Sequence, residues 1–150
     1  MNAKECLALA MVAVGLSGCG SPAGKVDGPR LDVRMTATER NAGEIAQATL
    51  VPLGGETGMT LFVSGVPSGV TRPVHLYTYI YPGTCASRGP SPAYELNRTV
   101  ETYQNSRGDV WRLSRTAPVA LATLRSSSHS IVLRTSPADG NVDIFCGDIR

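Results

Sequence analysis

Apolar and polar residues alternate in short runs along most of this chain, and glycine or proline bounds nearly every run. Alternation with a period of two is typical of strands with one buried face, and no segment shows the long 3.6-residue period of a helix. The pattern predicts strands over residues 31–38, 45–53, 59–66, 73–81, 94–100, 110–114, 119–124, 129–135 and 142–146. It predicts turns at 54–58 and 67–69 and a loop at 82–92. This succession of short strands favours an all-β fold of about eight strands, a β-sandwich or a barrel.

The fourth predicted strand has the most informative pattern. Its apolar face holds Val74, Leu76 and Ile80, because alternate side chains of a strand point to opposite sides. The other face carries a polar and aromatic stripe, which we call the Tyr stripe: His75, Tyr77, Tyr79 and Tyr81. Packing across neighbouring strands explains such a stripe. The alternative is a binding face for a partner, since tyrosine offers a large contact area at a low entropic cost.

The N-terminus has the features of a bacterial lipoprotein signal. Lys4 precedes an apolar run over residues 6–16, which has the length of a signal-peptide core and is too short to span a bilayer. The run ends in the tetrapeptide LSGC at residues 16–19, which resembles a lipobox. The resemblance implies cleavage before Cys19, acylation of that cysteine and a place in the cell envelope. Gly20, and not an aspartate, follows the cysteine, which resembles the signal for sorting to the outer membrane, facing the periplasm. The alternative is an ordinary secretory signal with a chance cysteine.

The rest of the chain predicts a tether followed by one domain. Residues 20–30 are mainly Gly, Pro, Ser and charged residues, the composition of a flexible linker. We therefore expect a signal peptide at 1–18, a lipidated cysteine with its tether at 19–30, and a β-domain at 31–150. The net charge of +2 gives no electrostatic footprint for nucleic acid. The expected partners are the membrane, through the lipid anchor, and an envelope protein of unknown identity.

The four cysteines divide into two groups. Cys6 leaves with the signal, and Cys19 carries the lipid, so Cys85 and Cys146 remain. A single pair in an oxidising compartment predicts a disulfide. Closing a loop of about 60 residues would stabilise the fold by roughly 4 kcal/mol in the chain-entropy account. The alternative is a pair of buried free thiols.

Five segments resemble, in their order and spacing, segments of a known family. They are SGVPSG at 64–69, VHLY at 74–77, CASRGPS at 85–91, IVLRT at 131–135 and FCGDI at 145–149. On these segments, residues 31 to 149 resemble the copper/zinc superoxide dismutase family. The resemblance implies a Greek-key β-sandwich of the superoxide-dismutase-like (immunoglobulin-like) kind. It also implies the disulfide between Cys85 and Cys146.

The departures from this family concern its metal ligands. Carried over by position, His75 keeps the first copper ligand and Tyr77 replaces the second. Ser91 stands in place of the bridging histidine, and Arg134 in place of the last copper ligand. The zinc-binding histidines have no counterpart. Because copper needs a set of imidazole or soft ligands and a guanidinium repels a cation, we expect no cofactor, no metal and no catalytic residue.

These observations favour a non-enzymatic envelope lipoprotein with a binding or structural role, in which the Tyr stripe is a possible binding face. One alternative is a weak copper- or zinc-binding envelope protein that uses His75 and His129. Another is an inhibitor of a lytic enzyme such as lysozyme, which rests only on location and size. Trp111 is expected in the core. Five arginines are expected to be mainly solvated charges on strand faces: Arg107, Arg112, Arg115, Arg125 and Arg134.

Overall fold

The computed structural model of the chain describes residues 28–104, 108 and 110–150. Within them the protein is an all-β fold, as the alternation predicted. The strands are β1 (Leu31–Ala37), β2 (Ala46–Leu53), β3 (Glu56–Val63), β4 (Leu76–Thr84), β5 (Ser87–Arg88), β6 (Tyr94–Glu95), β7 (Tyr103–Gln104), β8 (Trp111–Ala117), β9 (His129–Thr135) and β10 (Asp143–Ile149). One helix, α1 (Leu121–Ser126), and short 3-10 turns at Glu39–Asn41 and Pro137–Asp139 connect them. The predicted signal peptide, Cys19 and residues 20–27 of the predicted tether lie outside the described residues.

Antiparallel pairing joins the strands in the order β5-β4-β9-β10-β1-β2-β3-β8-β7, and β6 also pairs with β4. Strand β1 links two halves of this sheet, because Leu31–Met35 pairs with β2, whereas Thr36 and Ala37 pair with β10. We call β2, β3, β7 and β8 the first half and β4, β5, β6, β9 and β10 the second half. The chain crosses between the halves after β3, after β6 and after β8, since β8 pairs with β3 and β7, and β4 pairs with β6 and β9.

Both halves contribute to one hydrophobic core. Leu50, Leu61 and Leu113 enter it from the first half, and Ile80 and Phe145 enter it from the second; none of the five has exposed surface. Burial of side chains of this size contributes about 1.5–3 kcal/mol each. Because one core includes the inward faces of both halves, the sheet folds over on itself.

The prediction of a strand at 119–124 is wrong. The chain forms α1 there, with Leu121 and Leu124 buried. These leucines are three residues apart, so one helical face carries both into the core. A short apolar run fits a helix and a strand equally well, and its periodicity alone does not distinguish the two.

Strand β6 is much shorter than the predicted strand at 94–100. Its pairing with β4 ends after Glu95, and the amide of Thr78 then donates to Oδ1 of Asn97 at 2.7 Å. The asparagine side chain takes the place of a main-chain partner, which ends the regular ladder.

Other predicted boundaries also shift: β3 is Glu56–Val63, β8 extends to Ala117 and β10 extends to Ile149. Strand β4 starts at Leu76 and runs on to Thr84, and Ser87–Arg88 pairs back onto its end inside the segment predicted as a loop. Leu53 and Glu56 pair directly, so the turn predicted at 54–58 narrows to two glycines. Gly54 has a φ of +61°, a conformation that glycine adopts without a steric penalty.

Candidate functional site

The Tyr stripe is partly covered rather than open. Tyr77 and Tyr79 on β4 are half-buried, and Tyr81 is only 6% exposed. The rings of Tyr79 and Tyr81 lie 6.4 Å apart and are tilted by 52°. Strand β4 therefore presents its aliphatic face to the core and packs part of its aromatic face as well.

Two arginines cover these rings. The Cζ of Arg134, on β9, lies 5.0 Å from the ring centre of Tyr79 and 5.6 Å from that of Tyr81. The Cζ of Arg88, on β5, lies 5.3 Å from the ring centre of Tyr81. A guanidinium over a tyrosine face is attracted by the ring quadrupole, by about 0.5–1 kcal/mol at exposed sites. The segment predicted as a loop thus folds Arg88 over the stripe.

Asp143 at the start of β10 pairs with both arginines. Nε of Arg134 donates to its Oδ1, and Nη2 of Arg88 donates to its Oδ2 at 2.7 Å. The side chains of the three residues are between 21% and 29% exposed. We call Tyr79, Tyr81, Arg88, Arg134 and Asp143 the Arg-Tyr cluster.

Protonation states in the cluster favour the ion pairs. Burial alone would raise the pKa of Asp143, but the hydrogen bonds from Arg134 and Arg88 outweigh it and lower that pKa below its ordinary value. Burial alone would lower the pKa of Arg134, but the bond to Asp143 raises it. Burial and the nearby Glu95 carboxylate raise the pKa of Tyr79, so its hydroxyl stays neutral. The cluster therefore contains two cations and one anion at neutral pH.

The structure brings together two positions that the family resemblance assigned to copper ligands. Tyr77 lies directly opposite Arg134 in the β4–β9 pair. The guanidinium of Arg134 is engaged by Asp143 and the tyrosine rings. His75 precedes β4 and forms a bridge with Glu101, and Ser91 is exposed in the segment before β6. Chemically, this region holds an ion pair between neighbouring strands.

His75 and His129 are not brought together. His129 lies opposite Pro82, and His75 precedes Leu76 at the other end of the β4–β9 pair. Six residues of strand separate these ends, a distance of about 20 Å. Nδ1 of His129 is 3.1 Å from the carbonyl oxygens of both Leu124 and Ser127, so this nitrogen carries the proton. Within 28–104, 108 and 110–150, no three His, Cys, Asp or Glu side chains are grouped to hold a metal ion.

The predicted disulfide is confirmed. Cys85, just after β4, bonds to Cys146 in β10, with their Cα atoms 5.9 Å apart. The amide of Cys85 also donates to Oδ1 of Asp148 at 2.7 Å. The disulfide therefore fastens the turn between β4 and β5, which carries Arg88, to the strand that carries Asp143.

The exposed fraction of the arginine side chains varies more than the sequence predicted. Arg112 and Arg125 are exposed, as expected, but Arg134 is half-buried and Arg115 is only 6% exposed. The expectation of a solvated charge is therefore wrong for Arg115. Arg107 lies outside the described residues. Trp111 is buried, as predicted, and the guanidinium of Arg72 lies 5.3 Å from its ring centre.

The outer face of β1 and the first half carries large exposed apolar side chains among polar ones, a feature that the sequence analysis missed. Five outward residues lie in register across neighbouring strands and form what we call the outer row: Arg34, Gln47, Phe62, Arg112 and Tyr103. Phe62 is 45% exposed and Tyr103 is 67% exposed. Ile45, 73% exposed, lines a shallow cavity beside Phe62. A signal was present in the sequence, because Phe62 is an aromatic residue out of phase with the buried Leu61 and Val63.

No protein-family model, curated protein or solved structure matches this chain. Within the described residues, no helix is both long and apolar enough to cross a membrane. The function is therefore inferred from the residues and their geometry.

Proposed function

We propose that this protein is a non-enzymatic envelope lipoprotein, anchored by a lipid on Cys19 at the outer membrane and facing the periplasm. Its domain is a Greek-key β-sandwich of the superoxide-dismutase-like kind that uses no metal and binds a protein partner. The lipobox at residues 16–19 supports the anchor. The Cys85–Cys146 disulfide supports an oxidising compartment, because structural disulfides persist in such compartments.

The strand order supports the Greek-key sandwich. In a Greek key, a long connection returns a strand beside one that is not its neighbour in sequence. Here β4 pairs with β9 instead of β3, and β8 pairs with β3. The single core shared by the two halves supports a sandwich.

The ion pair between Arg134 and Asp143 is the observation that carries the non-enzymatic proposal. Arg134 occupies the position that the resemblance assigns to a copper ligand, opposite Tyr77. A guanidinium is always protonated in proteins, so it offers a cation no lone pair. The hydrogen bond to Asp143 fixes that positive charge at the site. A redox-active copper ion would need imidazole ligands there.

Metal titration and a dismutase assay test this proposal. The purified lipoprotein in detergent micelles is titrated with Cu²⁺ and Zn²⁺, bound metal is quantified, and superoxide turnover is measured. We expect neither stoichiometric copper nor turnover above that of free buffer. Stoichiometric copper with turnover would overturn the proposal. Micromolar copper binding that His75→Ala abolishes would instead support the weak copper- or zinc-binding alternative.

The outer row is the surface that best supports partner binding. Phe62 and Tyr103 are large exposed apolar side chains, and Arg34 and Arg112 lie in the same row. Neither arginine forms a salt bridge with any described residue, whereas Arg30, Arg88, Arg134 and Arg150 each do. Charge complementarity therefore selects a protein that places an apolar side chain against Phe62 and carboxylates beside it.

Placing a negative charge on the outer row tests this surface. The intact lipoprotein is crosslinked in envelope membranes, and the yield of a defined crosslinked partner is measured for Phe62→Asp and Arg112→Glu. The control is Arg125→Glu, because Arg125 is an exposed arginine on α1, outside the outer row. We expect both row variants to lose the crosslink at least tenfold and the control to keep it. If light scattering detects a dimer and Phe62→Asp dissociates it, the outer row binds a second copy of this chain. Binding to anionic vesicles alone would assign it to the membrane; either result would overturn the proposed occupant.

A further inference from the structure

Arg115 occupies a position that strand geometry assigns to the core. Strand β8 alternates strictly, with Trp111, Leu113 and Ala117 buried and the intervening residues exposed. Arg115 shares the buried phase and is 6% exposed. A charged residue is rarely buried to this extent without a partner of opposite charge. Its surroundings therefore decide what the charge does there.

The guanidinium of Arg115 has no partner of opposite charge among the described residues. Nη1 donates to the carbonyl of Ser114 and Nη2 to that of Leu76, both at 2.9 Å. Nε is fully buried and has no hydrogen-bond partner. A guanidinium has five N–H donors, and described residues accept hydrogen bonds from two of them. No described carboxylate lies within 4.0 Å, unlike the case of Arg134. Burial accordingly lowers the pKa of Arg115 below its ordinary value.

A cavity of about 510 Å³ with a mixed polar and apolar lining opens beside this side chain. Arg115 and Ser114 line it from β8, and Glu95 lines it from β6 in the other half. Arg98 and Glu56 contribute further charges of both signs. A cavity of this size accommodates a small molecule with a few fixed polar contacts. It is separate from the Arg-Tyr cluster and from the outer row, since it shares no lining residue with either.

We propose that this cavity binds a small zwitterion, such as a free amino acid, whose carboxylate is held by Arg115 and whose ammonium group is held by Glu95. A planar carboxylate matches the donor geometry of a guanidinium, which accounts for an arginine in the cavity lining that has no described carboxylate within 4.0 Å. The carboxylates of Glu95 and Glu56 attract an ammonium group and repel a dianion such as phosphate. The two signs of charge in the cavity therefore select a ligand that also carries both.

Titration with four small probes tests the site. The full-chain lipoprotein in micelles, with ¹⁵N-labelled arginine, is titrated with L-alanine, acetate, ethylammonium and phosphate while the Arg115 Nε–H resonance is followed. We expect L-alanine to shift this resonance saturably and to bind at least tenfold more tightly than the other three. The absence of a saturable shift with L-alanine would overturn the proposal. Tighter binding of phosphate or acetate than of L-alanine would overturn the zwitterion assignment.

Matched variants separate recognition from folding. By calorimetry, Arg115→Lys should weaken L-alanine binding by about tenfold or more, because a charged bidentate contact becomes a single point charge. Arg125→Lys makes the same substitution at an exposed arginine on α1, outside the cavity lining, and should leave L-alanine binding unchanged. Glu95→Gln leaves Arg115 in place, so it remains informative if Arg115→Lys does not fold. It should weaken L-alanine binding about threefold or more without weakening acetate binding; equal affinities in wild type and variants would overturn the site.

Discussion

Arg134 and Arg115 lie on different halves of the same sheet, and their surroundings differ sharply. Arg134 is half-buried beside Tyr79 and Tyr81 and is paired with Asp143. Arg115 is more deeply buried, and its partners are two backbone carbonyl oxygens. The first charge is compensated inside the fold, whereas the described partners of the second are carbonyl dipoles alone.

This difference separates a structural role from a binding role. A cation paired with a carboxylate and stacked on aromatic rings has its electrostatic needs met without a ligand. A buried cation without a counter-charge lowers stability, and proteins tolerate such costs at sites that bind something. Tyr stripe residues Tyr79 and Tyr81 therefore belong to the packing of the fold. The cavity beside Arg115 remains open to a ligand.

The largest expected effect is that of Asp143→Ala. This substitution removes the carboxylate that pairs with both Arg88 and Arg134. We expect the free energy of unfolding in urea to fall by about 2 kcal/mol. This loss is smaller than that usual for breaking a fully buried ion pair, because the Asp143 side chain is 26% exposed. Asp32→Ala is the control: it removes an exposed pair with Arg30, 3.5 Å long, and an exposed hydrogen bond from Thr49, and it should cost at most about 1 kcal/mol. Equal losses would show that the Arg-Tyr cluster contributes no more than a surface pair.

Arg115→Met should raise the free energy of unfolding, whereas Asp143→Ala should lower it. Methionine keeps much of the volume of the side chain and removes a buried charge that has no described carboxylate within 4.0 Å. The hydrogen bonds to Leu76 and Ser114 are lost, but the gain from removing the charge should exceed them. We expect the free energy of unfolding to rise by about 1 kcal/mol in urea denaturation, because apolar replacement of buried ions is often stabilising. A loss of 2 kcal/mol or more would mean that Arg115 is needed by the fold itself.

Period-two alternation was sufficient to predict most of the β-strands. The inward residues of β1 and β2 could be read from their own segments, because these strands bury every second side chain. The helix α1 could not, since the six residues Leu121–Ser126 are too few to establish a period. Its identity depends on the core position that Leu121 and Leu124 reach together.

The contacts of the Arg-Tyr cluster could not be predicted from local pattern. The alternation placed Tyr79 and Tyr81 on one face of β4, but Arg134 is more than fifty residues away in sequence. Its approach depends on the register of β4 against β9 and on the irregular pairing of β10 after Asp143. Arg115 did have a local signal, because it repeats the phase of Leu113. Its burial follows this phase and not its charge.

A further test of the ion pairs is the dependence of stability on pH. The pKa of Asp143 is lowered in the folded state, so its contribution is fully present above the pKa of the unfolded chain, about 3.9 for an aspartate. That contribution is lost as the pH falls through the lower folded pKa. We expect the free energy of unfolding to fall less steeply below pH 4 in Asp143→Asn than in wild type, as measured by urea midpoints at successive pH values. Parallel curves for the two proteins would contradict the role of Asp143.

The smallest expected effect is that of Arg88→Ala, which separates the two arginines of the Arg-Tyr cluster. Arg88 lies on the short strand β5 and covers Tyr81 alone, whereas Arg134 lies on β9 and covers both rings. Losing one cation–π contact and one of two bonds to Asp143 should lower the free energy of unfolding by about 0.5–1 kcal/mol in urea. Tyr81 should also become more accessible to solvent, which iodination followed by mass spectrometry would detect. Arg150→Ala, whose pair with Asp148 is 82% exposed on the arginine side, is the control and should change neither quantity measurably. If Arg88→Ala behaved like this control, the β5 segment would contribute no cover, and Arg134 with Asp143 would account for the whole cluster.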